Sequence, residues 1–190
     1  MKKLALVLSI FLCLSVAVVA QPKAIGLRMG WNWEASYQHS FGSSAFLQLD
    51  AGTFNAFHGL NFSPTVNFIF ATPKWTPKGT WEWYAGPGIS TGYDFGYRYT
   101  SSSITDKRYG NYFYLGLSGM VGLSYTFWFP LQLSVDFRPT LIGFQTVDTD
   151  YYVLQGKTAV YSDFWWNKDV YRDRAFYPNI ALSVRYSFGK

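Results

Sequence analysis

The sequence predicts an all-β protein, an eight-stranded antiparallel up-and-down barrel. Three observations predict this fold class. Apolar and polar residues alternate in segment after segment, no stretch has a helical period, and turn signals separate the segments. The segment PLQLSVDFRPTL, residues 130–141, has apolar residues at its odd positions and Gln132, Ser134, Asp136, Arg138 and Thr140 at its even positions. Successive side chains of a strand point to opposite faces, so this segment has one apolar and one polar face.

The chain begins with the layout of a secretory signal peptide. Two lysines precede an apolar run, residues 4–19, that ends in small residues at Ala20. We therefore expect cleavage after Ala20 (signal peptide 1–20) and a single barrel domain over residues 21–190. The alternative, a retained membrane helix, fits the shortness of the run less well. Cys13, the one cysteine, leaves with the signal, so the mature chain has no disulfide.

The charge of the mature chain excludes one class of partner. Removal of the two signal-peptide lysines lowers the net charge from +5 to +3. That excess is too small to suggest a nucleic-acid-binding protein, so we expect no nucleic acid among its partners. No apolar run in the mature part is long enough for a transmembrane helix, and a spanning structure would therefore have to be a closed barrel.

Strand parity predicts a turn that alternation alone does not show. The alternating segments, counted simply, are seven: 24–38, 45–52, 60–70, 81–93, 112–127, 130–141 and 178–188. Bacterial barrels have an even number of strands and both termini on the periplasmic side. A tight hairpin near Gly30–Trp33 divides the first segment into strands 23–30 and 33–41 and gives eight. A hairpin over Tyr151–Tyr161 would add two strands and leave the parity wrong, so we expect it to project beyond the membrane.

The connections between strands differ in length, which orients the predicted barrel. The tight turn Phe127–Leu131 is expected on the periplasmic side with both termini. The polar segments 94–111 and 146–175 are expected to form longer extracellular loops.

Alternation does not decide which face points inward. In a lipocalin-like secreted barrel or a soluble sandwich the apolar face is the core, whereas in a transmembrane barrel it meets lipid and the polar face fills the lumen. Three observations favour the transmembrane barrel. Aromatic residues cluster at strand ends, as at a membrane interface. The polar face carries few and balanced charges. The apolar face also continues on every strand, and only a closed barrel then leaves no exposed edge.

These observations give two sets of candidate residues. The candidate membrane-interface aromatics, an aromatic girdle, are Trp31, Trp33, Trp81, Trp83, Phe127, Trp128, Phe129, Tyr186 and Phe188. The candidate polar network of the lumen is Arg28, Glu34, Asp50, Glu82, Asp136, Arg138 and Arg185. An unpaired buried charge is costly, so we expect each of these charges to find a partner inside the barrel.

Four segments carry a resemblance to a known family. AIGLRMGWNWEASYQHSF, WYAGPGISTGY, FPLQLSVDFRPTL and ALSVRYSF resemble the small OmpX/OmpA-type outer-membrane barrels of Gram-negative bacteria. The resemblance implies a place in the cell outer membrane, contact with its lipids and lipopolysaccharide, and insertion by the outer-membrane assembly machinery. That machinery reads a C-terminal aromatic strand, which Tyr186 and Phe188 match.

The sequence contains no catalytic constellation, and we expect neither a cofactor nor a metal. The alternative is a lipid A deacylase or acyltransferase, for which His39 with Ser36, Ser40 or Ser43 is the local candidate; His58 lies near another turn. An eight-stranded barrel has an interior just wide enough for side chains, so we do not expect a general porin. We therefore expect a structural or surface-interaction role through segments 94–111 and 146–175. Segment 146–175 is the candidate binding site for a surface ligand, and the protein is expected to be a monomer. Segment 146–175 could equally lie over the barrel mouth and bind nothing.

Overall fold

All regular structure in the described part of the protein is β-strand. The computed structural model describes residues 23–54, 59–100, 107–150, 158–166 and 179–188, and the predicted signal peptide lies outside them. The strands are β1 (Lys23–Met29), β2 (Trp33–Phe41), β3 (Ala45–Phe54), β4 (Gly59–Ala71), β5 (Thr80–Thr100), β6 (Lys107–Thr126), β7 (Leu131–Arg138), β8 (Thr140–Asp150), β9 (Thr158–Trp166) and β10 (Asn179–Phe188). Within the described residues no helix is long and apolar enough to cross a membrane.

The strands close into one antiparallel barrel. Each of β1 to β6 pairs with the next along the chain, and β10 pairs with both β7 and β1 to close the ring. The long strand β6 pairs with β7 along its C-terminal part and with β8 along its N-terminal part, because only Pro139 separates β7 from β8. β9 pairs with β8 on the same side on which β10 pairs with β7. Thus β7 with β8, and β9 with β10, each form one barrel strand.

The count of eight strands and the up-and-down order are therefore confirmed. The predicted hairpin near Gly30–Trp33 is confirmed as well, since β1 ends at Met29 and β2 starts at Trp33. Its turn is closed by the Gly30 amide, which donates to the Asn32 carbonyl at 3.1 Å. Lys23 pairs with His39 and Met29 with Trp33, so the hairpin has a regular register throughout.

The extents of the two predicted loops were wrong. β5 continues to Thr100 and β6 begins at Lys107, so most of segment 94–111 is strand. β8 continues to Asp150, and β9 occupies 158–166 within the predicted loop 146–175. The hairpin predicted over Tyr151–Tyr161 adds no barrel strands, because its arms continue the seventh and eighth strands; its turn lies outside the described residues. The polar composition of these segments was read as loop, but a polar segment can still pair its backbone as strand.

The barrel is polar inside and apolar outside. Along β4, Asn61, Ser63, Thr65 and Asn67 are buried, whereas Leu60, Phe62, Val66, Phe68 and Phe70 on the outer wall are exposed. The same division holds on β1, β7 and β10. A small apolar cluster of Phe46, Tyr84 and Met120, with Ile69 against it, lies among the inward residues.

Candidate functional site

The centre of the lumen holds an ionic cluster drawn from four strands. Arg28 on β1 donates from Nη1 to Glu34 Oε2 at 2.6 Å and from Nη2 to Asp136 Oδ1 at 2.5 Å. Arg138 on β7 donates from Nη2 to Glu34 Oε1 at 2.5 Å and from Nη1 to Asp50 Oδ2 at 2.7 Å. Glu34 on β2 is thus shared by two guanidinium groups. All five side chains are almost completely buried.

Register and small neighbours explain how these residues meet. Arg28 and Glu34 are direct cross-strand partners in the first hairpin. Asp136 lies two strands away, beyond β10, and the β10 residues between them are Ala181 and Ser183. These short side chains leave the lumen open for the arginine to pass. The Asn61 amide on β4 also donates to Glu34, which extends the cluster to a fifth strand.

Arg185 lies inside the barrel but contacts no described carboxylate. Its guanidinium donates to three serine hydroxyls: Ser36 at 2.9 Å, Ser134 at 2.7 Å and Ser183 at 3.1 Å. No described carboxylate lies within 4.0 Å of it. The partners that Arg185 finds inside the barrel are therefore hydroxyl oxygens and not an opposite charge.

Glu82 also lies apart from the ionic cluster. It is the third residue of β5, close to the end of the barrel at which β1 begins and β10 ends, and is half-buried. The Ser124 hydroxyl donates to its Oε2 at 3.4 Å. Of the seven predicted residues, the structure therefore brings five together and leaves Arg185 and Glu82 in separate environments.

Several interior residues were not included in the predicted polar network, because that prediction named only charged residues. Gln38 donates to Gln48 at 2.9 Å, and Gln48 donates to Asp50 at 2.8 Å, so an amide chain leads into the cluster. Tyr84 and Tyr114 are also buried inside. Their position in the alternation was the available signal, since each shares the parity of the inward residues of its strand.

The outer wall displays large apolar side chains at every level. Exposure exceeds half at Leu27, Leu182 and Phe70. The predicted interface aromatics lie at two levels of the barrel. Trp31 and Trp33 lie at the β1–β2 turn, and all the others except Trp83 lie near the opposite end. Those others are Trp81, Phe127, Trp128, Phe129, Tyr186 and Phe188; Trp83 is half-buried on β5.

His39 lies on the outer wall and not in the lumen. It is buried between Tyr37, with ring centroids 6.5 Å apart, and Phe41, at 5.3 Å. Ser36 and Ser40 occupy the opposite parity of β2 and therefore face inward, so neither converges with the imidazole. His58 lies outside the described residues. Within them, no group of three or more His, Cys, Asp or Glu side chains is placed to hold a metal ion.

Comparisons with known proteins give a structural likeness but no family. No protein-family model matches the chain, and no curated protein does. The crystal structure of a major outer membrane protein from Thermus thermophilus is similar over 88% of this chain and 97% of that chain, with a TM-score of 0.49 and 13% identity. The closed barrel, with charges enclosed and hydrocarbon side chains outside, is itself of the outer-membrane type.

Proposed function

We propose that this protein is an outer-membrane barrel with a side-chain-filled lumen, which serves as a rigid base for a surface-interaction sheet. The inverted burial carries the membrane part of the proposal. Arg28 and Arg185 are 0% exposed, whereas Trp31, Phe70 and Ile180 are 63–64% exposed. In water the apolar wall would far exceed the few hundred Å² of apolar patch that soluble monomers tolerate. In a bilayer the same wall contacts lipid chains, so its apolar side chains are not exposed to water.

Fractionation and electrophoresis test the membrane part. The mature chain is expected in the outer-membrane fraction, to need detergent for solubility, and to migrate differently when the sample is boiled. A lipocalin-like barrel would instead be soluble in the periplasm or medium. A monomer that stays folded in buffer without detergent would contradict the proposal.

The surface-interaction part of the proposal rests on strands that extend beyond the closed barrel. β4 begins at Gly59, which pairs with Asp94, so β5 residues 95–100 have no partner on the β4 side among the described strands. They pair only with β6, and β9 pairs only with β8. We call the four extensions (95–100, 107–111, 147–150 and 158–161) the projecting sheet. At about 3.3 Å per residue, residues 95–100 extend the β5 edge by roughly 20 Å.

Both outer edges of the projecting sheet, β5 and β9, offer backbone N–H and C=O groups that no described strand pairs with. Soluble proteins usually protect such edges, and an extended polypeptide can add to one as a further strand. We infer that the ligand of this surface is an extended peptide segment of another protein, held by main-chain hydrogen bonds.

A peptide array probes this inference directly. The purified barrel in detergent is applied to immobilised decapeptides of varied sequence. Binding is compared with that of a variant in which residues 147–161 are replaced by a two-residue turn. A second variant with altered residues 42–44, at the opposite end, is the matched control. Binding should be reduced in the first variant, which keeps only the β5 edge, and unchanged in the second; equal binding by all three would contradict the inference.

A further inference from the structure

The end of the barrel at which β1 begins and β10 ends has an unequal charge distribution. Its described cations are Lys74 and Lys78, in the β4–β5 turn. Its one described carboxylate is Glu82, which lies on the inward parity of β5 and accepts a bond from Ser124. The surface that this end presents to its surroundings is therefore cationic.

Two neighbouring turns combine these lysines with aromatic rings in contact with one another. The β4–β5 turn, residues 72–79, lies beside the β6–β7 turn, residues 127–130, because Thr80 pairs with Thr126. Ring centroids are 5.3 Å apart for Trp75 and Trp81, and 4.6 Å apart for Trp81 and Tyr125. We call the two turns, with Trp81 and Tyr125, the lysine–aromatic rim.

Hydrogen bonds hold Lys78 in a fixed place within the rim. Its carbonyl accepts from the Tyr125 hydroxyl at 2.8 Å and from the Thr76 hydroxyl at 2.8 Å. Trp81 Nε1 donates to the Thr76 hydroxyl at 3.2 Å. Gly79, with φ 78°, allows the close approach, since a Cβ there would lie 2.5 Å from the Tyr125 hydroxyl oxygen. These hydrogen bonds fix the conformation of the turn, and none of them involves the ammonium group of Lys78.

The ammonium group of Lys78 is directed to the outer surface. Its Nζ lies 5.7 Å from the centroid of the Trp128 ring, and Trp128 is 64% exposed. No described carboxylate lies within ion-pair distance of Lys78. Indole rings favour the headgroup level of a bilayer, and lysines at that level meet lipid phosphates.

We propose that the lysine–aromatic rim binds the headgroup of an anionic phospholipid, with Lys78 and Lys74 on the phosphate and the indole rings beside the glycerol region. This inference rests on the proposed membrane location and adds a specific lipid class at one end of the barrel. A juxtamembrane lysine favours anionic over zwitterionic lipid by about fivefold. The two lysines together should therefore give a marked preference for phosphatidylglycerol over phosphatidylcholine.

Native mass spectrometry of the mature barrel, released from nanodiscs of equal phosphatidylglycerol and phosphatidylcholine, tests the proposal. The wild type should retain phosphatidylglycerol preferentially, and the Lys74→Ala, Lys78→Ala double variant should lose about fivefold or more of that preference. Lys78→Arg should keep it, since the charge remains. The matched control, Lys107→Ala with Arg108→Ala, removes two cations at the opposite end and should keep it too.

The outcomes separate this inference from the proposed function. An inserted, heat-shifting wild type without phosphatidylglycerol preference would overturn the inference alone. Equal losses in the rim variant and in the Lys107, Arg108 control would overturn it as well, because the preference would then follow total charge. A chain that never enters nanodiscs would overturn the membrane location and the inference with it.

Discussion

Replacing Arg28 and Arg185 separately by methionine should distinguish two kinds of buried arginine. Both are 0% exposed and both lie in the lumen, so the change removes a similar amount of side chain in each case. They differ in their partners. Arg28 pairs with Glu34 and Asp136, whereas Arg185 bonds to three neutral serine hydroxyls.

The partners left behind set the size of each effect. Without Arg28, Asp136 has no described cation within 4.0 Å, while Glu34 keeps Arg138 at 2.5 Å. Leaving one buried carboxylate uncompensated costs about 3–5 kcal/mol. Without Arg185, the orphaned groups are hydroxyls, and the cost is about 1–3 kcal/mol. We therefore expect Arg28→Met to lower the free energy of unfolding by about 2 kcal/mol more than Arg185→Met does.

Urea unfolding in phosphatidylcholine vesicles, followed by tryptophan fluorescence, measures both free energies. Adding Asp136→Asn to Arg28→Met removes the orphaned charge and should recover part of the loss, which a double-mutant cycle quantifies. Equal destabilisation by the two methionine variants would refute the reasoning. So would a double variant no more stable than Arg28→Met alone, because the penalty would then not be that of an unpaired carboxylate.

Further substitutions can be measured in the same vesicles, and conductance in planar bilayers. Gly86→Ala should cost about 1–3 kcal/mol, since a Cβ there would lie 1.8 Å from the Val66 carbonyl oxygen. Gly119→Ala, with nothing within 4 Å, should leave the urea midpoint unchanged. Leu27→Arg, halfway along the outer wall, should cost about 2–4 kcal/mol and Phe129→Arg, at a turn, about 0–1 kcal/mol; equal effects would argue against a lipid-facing wall. In planar bilayers the wild type should show no large stable conductance, and sustained channel currents would disprove the filled lumen.

Inward and outward faces could be read from the sequence because burial in a barrel has a period of two. The rule held even for Tyr84 and Tyr114, which are aromatic yet lie inside because they share the parity of polar neighbours. The pairing of Arg28 with Glu34 was also within reach, since a three-residue turn places them directly opposite. Local register is thus encoded in nearby residues.

Contacts across the lumen could not be predicted in the same way. Arg28 and Asp136 are 108 residues apart, and whether they meet depends on the stagger of the whole closed sheet. The choice of serines for Arg185 depends on the same stagger. The strand extensions were missed for a different reason: polar composition was taken as a loop signal, whereas a polar segment can still pair its backbone as strand.

The irregularity in β8 after Pro139 keeps apolar side chains on the outer wall although the inward–outward alternation is interrupted there. Ser118 pairs with Thr140 but Leu117 pairs with Ile142, so Leu141 is an extra residue, a β-bulge. Thr140 and Gly143 are buried, whereas Leu141 and Phe144 are both exposed on the outer wall. In a regular strand Thr140 and Phe144 would share a face, and the phenyl ring would enter the lumen. One inserted residue therefore keeps Phe144 on the apolar side, and it does so where Pro139, which has no amide to donate, already interrupts the ladder.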